Sequence, residues 1–174
     1  MKQSNKIFFI PLRYLIALGL VFTLPIIYQF LTPLTTYYIA FILNFFYNVT
    51  VISCERIMVN FSAIEIIPAC VAGSAYILLL TLNLTTPMKL KKRLLSILFS
   101  IAILFLINTL RLVFLTFLIV QNSEYFDIVH KLFWYVLSTI FVIAIWFLTV
   151  KLFDIKEIPV YSDVKLLVKN IKQK

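Results

Sequence analysis

Long segments without charge constrain this chain more than any other feature. Residues 14–54, 66–88, 94–123 and 132–150 contain no Asp, Glu, Lys or Arg except Arg111. A helix needs roughly 20 apolar residues to cross the hydrocarbon core of a bilayer. With 63% hydrophobic and only 13% charged residues, the composition excludes a water-soluble domain. The sequence therefore predicts an all-α polytopic protein of the cell membrane, with four to five transmembrane helices and no nucleic-acid partner.

Clusters of basic residues set the predicted orientation. Cytoplasmic loops collect Lys and Arg, and most of the 16 basic residues lie before residue 14, at 89–93 or after residue 150. With these three groups inside the cell, residues 1–153 form a membrane domain and residues 154–174 a basic cytoplasmic tail. The predicted spans are about 12–31, 67–86, 94–120 and 129–151.

Residues 34–48 leave two alternatives open. With the N-terminus inside, only one crossing fits before residue 53, and 34–48 then forms a helix in the outer interface, where tyrosines prefer to lie. The competing arrangement makes 34–48 a further span and places the N-terminus outside. In residues 49–66, β-branched side chains spaced loosely by two predict a short extracytoplasmic β-hairpin.

Three side chains from distant parts of the sequence are predicted to lie at the same outer depth. Cys70 lies near the outer start of one span, and His130 opens the last span from outside. Arg111 lies roughly 25 Å along a span that starts inside, and a charge in a span normally faces a partner or a cavity. Asn108 is placed to orient the guanidinium and Asp127 to fix the His130 tautomer. Ordinary polar capping is the alternative for both, and it is favoured for Asp127.

These residue types together fit acyl transfer. A cationic neighbour favours the nucleophilic thiolate of cysteine, histidine can protonate a leaving amine, and arginine can donate to an oxyanion. One histidine and two separated cysteines do not make a zinc site, so no metal or cofactor is predicted. The ordinary alternatives are a small buried Cys70, a snorkelling Arg111, an interfacial His130 and a Cys54–Cys70 disulfide.

At these residues the sequence resembles the exosortase/archaeosortase family of membrane cysteine transpeptidases, most of all its small archaeal forms. The blocks are IEIIPACVAGSAY around Cys70, LINTLRLVFL around Arg111 and YFDIVHKLFW around His130. The chain departs from the family in having fewer spans than many relatives and His130 where some archaeal relatives have arginine. It also has Val71 and Ala72 after the cysteine, where many members carry Ser-Gly.

The resemblance implies a protease and transpeptidase with Cys70, Arg111 and His130 as catalytic residues. Its substrates would be surface proteins that end in a sorting signal, made of a short motif, a transmembrane helix and a basic tail. The enzyme would cleave outside the membrane, hold the product as a thioester on Cys70 and transfer it to a lipid or other membrane-linked acceptor.

Two non-enzymatic alternatives remain at this point. In a membrane scaffold or assembly factor, Arg111 would pair with an acid on a partner helix. In a small transporter subunit, Arg111 would line an anion path, and polar residues should then lie at several depths. The sequence instead predicts that polar residues are concentrated at one depth.

Overall fold

The computed structural model describes residue 11, residues 15–16 and residues 18–155. This part of the chain is mostly helical, whereas residues 156–174 of the predicted basic tail and the start of the first predicted span lie outside it. The helices are α1 (Leu24–Leu43, after a 3-10 turn at Val21–Thr23), α2 (Pro68–Val71), α3 (Gly73–Thr85), α4 (Leu90–Val120), α5 (Phe126–Leu132) and α6 (Ser138–Leu152), with a π-helical turn at Phe133–Leu137 between the last two. The strands are β1 (Val49–Ser53), β2 (Arg56–Val59) and β3 (Ser62–Glu65).

Four helical segments of the described chain are long and apolar enough to cross a membrane. They carry large exposed apolar side chains, among them Phe22 and Phe147, which are 82% and 67% exposed. Apolar surface of this extent is typical of a helix that faces lipid or a partner rather than water. The four segments are Leu18–Leu43, Pro68–Thr85, Leu90–Val120 and Phe126–Leu152.

The first of these segments differs from the sequence prediction. α1 continues without a break across the predicted boundary between 12–31 and 34–48, with Pro33 inside the helix. Residues 34–43 are therefore the second half of α1, and the prediction of a separate helix over 34–48 is wrong. Proline removes one helical hydrogen bond, but burial of the face from Thr35 to Leu43 keeps the helix continuous beyond it.

The segment between α1 and α2 is β-structure, as predicted, but with three strands instead of a hairpin. β1, β2 and β3 form an antiparallel sheet in sequence order, and Asn60 makes the second turn in a left-handed conformation (φ 53°) that asparagine tolerates. Ile57 and Val59 are fully buried and join the same apolar cluster as Leu43 of α1 and Leu112 of α4. The sheet is therefore fastened to the end of the helical bundle that carries Cys70.

Helix α4 forms the centre of the bundle. It packs against α1, α3 and α6, and its apolar side chains enter both buried clusters. At 31 residues it is about 46 Å long, since each helical residue rises 1.5 Å. Because α4 contacts every other long helix, residues on its different faces can reach sites formed by several parts of the chain.

A buried network of neutral polar side chains joins α3, α4 and α6 at the end of the bundle away from Cys70. The Ser96 hydroxyl donates to Asn83 Oδ1 (2.7 Å), Asn83 Nδ2 donates to Ser100 Oγ (3.4 Å), and Ser100 Oγ lies 3.2 Å from Thr149 Oγ1. The prediction that polar residues lie at one depth is thus wrong for neutral side chains. They satisfy one another between helices, a common means of holding apolar helices together.

The chain bends sharply just after Cys70. Ala72 adopts a left-handed conformation (φ 60°) that separates α2 from α3, and Gly73 follows it. Gly73 is buried against the Tyr28 ring of α1, so that a Cβ at this position would lie 2.7 Å from Tyr28 Cζ. A glycine is needed here because α1 and the start of α3 approach too closely for a side chain.

We expect Gly73→Ala to destabilise the protein by about 1–3 kcal/mol, the usual cost of overpacking. Thermal unfolding in detergent micelles measures this effect. Gly19→Ala is the matched control, because no atom of the described residues lies within 4 Å of a Cβ there, and it should be neutral or slightly stabilising. The loss should shrink when Tyr28→Ala removes the ring; an equal loss in both backgrounds would contradict the close approach.

Candidate active site

Cys70 lies in a short turn of helix between the sheet and α3. Ile67 is extended, Pro68 begins α2, and the Cys70 N–H donates to the Ile67 carbonyl oxygen (2.8 Å). Two residues later, Ala72 holds a left-handed conformation that costs a non-glycine residue of order 1–3 kcal/mol, a kind of strain that clusters at functional sites. The half-buried Cys70 is thus presented on a sharp bend instead of within a regular helix.

Two side chains of α4 converge on the backbone carbonyl of Cys70. Asn108 Nδ2 donates to this oxygen at 3.0 Å, and Arg111 Nη2 donates to it at 3.3 Å. Their spacing of three residues places both on one helical face, as predicted. The predicted role of Asn108 needs one correction, since it shares an acceptor with the guanidinium and does not bond it.

The Arg111 guanidinium is buried without a carboxylate partner in the described chain. The side chain is only 7% exposed, Nη1 donates to Ser138 Oγ at 3.4 Å, and Nε has no partner within residues 18–155. The ion pair of this region joins Arg56 and Glu65 on the sheet. A buried cation held by two long hydrogen bonds retains donor capacity for a ligand.

His130 and Cys70 line one cavity, although 60 positions separate them in the sequence. The cavity has a volume of about 190 Å³ and is bordered by β3, α2, α4 and α5. Aromatic rings hold the imidazole: Phe126 stacks on it with ring centres 5.5 Å apart, and Trp134 meets it edge-on at 6.3 Å. The structure therefore brings the predicted thiol, imidazole and guanidinium to one end of the bundle.

Asp127 lies in the first turn of α5, three positions before His130. Its side chain is exposed at the start of α5, and no hydrogen bond or ion pair joins it to His130 in the part of the chain that is described. The rings of Phe126 and Trp134 orient the imidazole instead. The role predicted for Asp127 receives no support from this geometry.

Three residues of this region were not predicted from the sequence. Ser138 closes the π-helical turn, accepts from Arg111 and donates its hydroxyl proton to the Phe133 carbonyl. Phe126 stacks on His130, and Glu65 borders the cavity of Cys70 and His130. Ser138 is a polar residue within an uncharged, mostly apolar run, and Glu65 precedes Cys70 by five positions, so the sequence could have indicated both. The role of Phe126 depends on packing alone.

Cys54 lies outside the site. It is exposed in the turn between β1 and β2, and its carbonyl oxygen accepts from the Thr36 hydroxyl (2.8 Å). Cys54 and Cys70 are both free, so the alternative of a disulfide between them is not found. This leaves Cys70 with a free thiol and a backbone oxygen that accepts from the guanidinium.

Comparisons of the chain with protein-family models, with curated proteins and with solved structures return no match. The interpretation of the site therefore depends on its own geometry and chemistry.

Proposed function

We propose that the chain is a membrane-embedded cysteine endopeptidase and transpeptidase. In this proposal it cleaves C-terminal sorting signals of surface proteins on the extracytoplasmic side and transfers the new C-terminus to a membrane-linked acceptor. One observation carries the proposal: a buried Arg111 with unused donor capacity bonds the backbone of Cys70, and Cys70 shares a cavity with His130. A thiol, a cation and an imidazole so placed are the groups that acyl transfer requires.

The membrane setting and the orientation are parts of the same proposal. The four apolar helical segments support insertion, and the basic residues at 89–93 support placing the α3–α4 connection in the cytoplasm. Cys70 and the sheet then face outside, because α3 begins at the opposite end of the bundle from that connection. A substrate helix with a basic cytoplasmic end would present its motif at the same outer level.

The first half of the reaction forms a thioester. His130 takes the proton of Cys70, and the thiolate attacks the carbonyl carbon of the scissile peptide bond. The carbonyl oxygen becomes an oxyanion, which accepts hydrogen bonds from Arg111. As the carbon–nitrogen bond breaks, His130 gives its proton to the leaving amine, and the substrate remains bound through an S–C bond to Cys70.

The second half releases the product. A nucleophile of the membrane-linked acceptor gives its proton to His130 and attacks the thioester carbon, again through an oxyanion stabilised by Arg111. The S–C bond breaks, and the proton returns to the Cys70 sulfur. The side chains present can therefore complete both halves without a cofactor, since each proton taken by His130 is given back within the same half.

The scaffold alternative assigns Arg111 to a carboxylate of a partner helix. Arg111 is compatible with such a partner because it has no carboxylate within residues 18–155. The burial of Arg111 against the Cys70 carbonyl favours the catalytic role, because a residue that pairs with a partner helix is expected to be exposed on the surface of the bundle. An anion path through the bundle is disfavoured because the polar network of Asn83, Ser96, Ser100 and Thr149 is filled by its own hydrogen bonds.

The proposal is tested by comparing C-terminal peptides of surface proteins from cells with the native chain and from cells with Cys70→Ala. We expect a set of proteins to lose a hydrophobic helix and basic tail in the first cells and to retain both in the second. Identical C-termini in the two proteomes would contradict the proposal.

Cys54→Ala should leave cleavage and stability unchanged. The Cys54 side chain is exposed, and the hydrogen bond from Thr36 goes to the backbone oxygen of Cys54, which alanine retains. We expect a change in unfolding free energy within about 0.5 kcal/mol, typical of surface substitutions. The C-terminal peptide comparison and thermal unfolding measure the two effects. Loss of cleavage in Cys54→Ala would point to a role for this thiol that the structure does not support.

A further inference from the structure

Arg111 lines a second cleft, which shares no lining residue with the Cys70–His130 cavity. Ala72 and Ala75, at the start of α3, form one wall, and Trp134, Ser138 and Thr139 form the other. We call this the α3–α6 cleft. Its volume of about 370 Å³ lies within the range of small-ligand sites, roughly 300–1,000 Å³. The cleft exists because α3 and α6 both pack on α4 more closely than on each other.

The polar groups of the cleft all suit an anion. Arg111 is more than nine-tenths buried, lines the cleft and has an Nε without a partner in the described chain. Ser74, Ser138 and Thr139 also line the cleft, and the described lining contains no acidic residue. Because the Ser138 hydroxyl donates its proton to the Phe133 carbonyl, the hydroxyls that face the cleft as donors are those of Ser74 and Thr139. A planar guanidinium with hydroxyl neighbours matches the geometry of phosphate oxygens.

The mouth of the cleft is apolar. Leu78 and Ile143 line it and are 48% and 50% exposed. In a bilayer, side chains at this position contact acyl chains, so a ligand that enters between α3 and α6 comes from the lipid phase. Its polar end would reach Arg111, and its apolar part would remain between these two side chains.

We infer that the α3–α6 cleft binds the phosphate headgroup of a membrane lipid, with Arg111 as its counter-ion. The inference rests on the membrane insertion included in the proposed function. It accounts for a feature that the catalytic proposal leaves unexplained, namely a buried cation open to a second cavity. A phosphate there neutralises a charge whose burial at the centre of a span lowers the insertion equilibrium by roughly 70-fold to 400-fold.

The two tryptophans of the chain make the inference testable without knowledge of the substrate. Trp134 lines the cleft, whereas Trp146 packs on the apolar cluster of α3, α4 and α6. The full-length chain with Trp146→Phe reports on the cleft, and the chain with Trp134→Phe is the matched control. Both are studied in phosphate-free maltoside micelles with dibrominated phosphatidylglycerol, a quencher of tryptophan fluorescence, and with dibrominated diacylglycerol of identical chains.

We expect saturable quenching of Trp134 by the phospholipid at mole fractions where diacylglycerol has little effect, and no such preference at Trp146. Arg111→Gln should weaken phospholipid binding by roughly tenfold or more, the loss of charge-assisted hydrogen bonds. Because Arg111→Gln could disturb folding, Ala75→Leu provides a second test: it fills the cleft while the guanidinium is retained, and it should also abolish the preference. Ala102→Leu, at an exposed position of α4, should leave it intact.

Equal quenching by the two brominated lipids would overturn the inference. Protection of the chain against thermal unfolding by inorganic phosphate, without phospholipid-specific quenching, would assign the cleft to a soluble anion and overturn it as well. Either result would leave the proposed cysteine chemistry untouched, because the measurement records binding and not cleavage. Conversely, if the chain binds phospholipid as expected but cleaves no surface protein, the proposed function is contradicted and the inference about the cleft is not.

Discussion

Replacing Cys70 by alanine is expected to stop cleavage of sorting signals while the protein remains folded in the membrane. The thiol is the nucleophile in the proposed mechanism, and removal of a nucleophile typically reduces the rate by about 10⁴-fold or more. Cys70→Ser should be almost as inactive, because a hydroxyl is a far weaker nucleophile than a thiolate. The measurement is the rate of appearance of cleaved C-termini, normalised to the amount of inserted protein.

The structure gives this experiment a clear separation between chemistry and folding. The contacts of Asn108 and Arg111 at this position involve the backbone oxygen of Cys70, which alanine and serine retain. The thermal unfolding midpoint should therefore change little in either variant. Cleavage by Cys70→Ala at the native rate would remove the nucleophile from the mechanism, whatever the stability of the variant.

Arg111→Lys is expected to reduce cleavage nearly as much, by roughly 10² to 10³, which is the usual cost of losing an oxyanion donor. Arg111 uses Nη2 for the Cys70 oxygen and Nη1 for Ser138, while Nε has no partner among the described residues. A lysine has one nitrogen on a flexible stem and cannot serve these separate positions at once. The charge remains, so the measured loss in cleavage rate isolates the contribution of the guanidinium fork.

Arg93→Lys is the matched control for this substitution. Arg93 lies near the other end of α4, where Nη2 donates to the Thr86 carbonyl oxygen (3.1 Å), far from Cys70 in the fold. The exchange there should leave cleavage within about twofold, since one nitrogen can keep a single hydrogen bond. Equal effects at positions 93 and 111 would indicate a general need for arginine in α4 and not a role in the reaction.

Much of the helical architecture follows from the sequence because charge is so costly within apolar spans. The uncharged runs from residue 66 onward coincide with α2–α3, α4 and the α5–α6 segment to within about two turns. The same reasoning placed Cys70, Arg111 and His130 at one end of the bundle. Helix length and charge distribution are enough to predict the depth of these residues, because an apolar helix bounded by charged residues can shift only a little along its axis.

Other features depend on packing that the sequence pattern does not reveal. Pro33 was interpreted as a boundary, yet burial of the following turns carries α1 through it. The two-residue turns at Cys54 and Asn60 make three strands where one turn was predicted. The link from Arg111 to Ser138 requires the π-helical turn, which alters the helical register by one residue and has no sequence signature of its own.

The most direct test of the mechanism is to intercept the thioester with hydroxylamine, a small nucleophile that can replace the natural acceptor. Membranes containing the native chain should yield surface proteins that end in a C-terminal hydroxamate at one cleavage position, identified by mass spectrometry. Membranes with Cys70→Ala should yield none, and those with Arg111→Lys only a trace. Equal hydroxamate formation with and without the Cys70 thiol, or hydroxylamine-independent cleavage that leaves only free carboxylates, would contradict transfer through a thioester on Cys70.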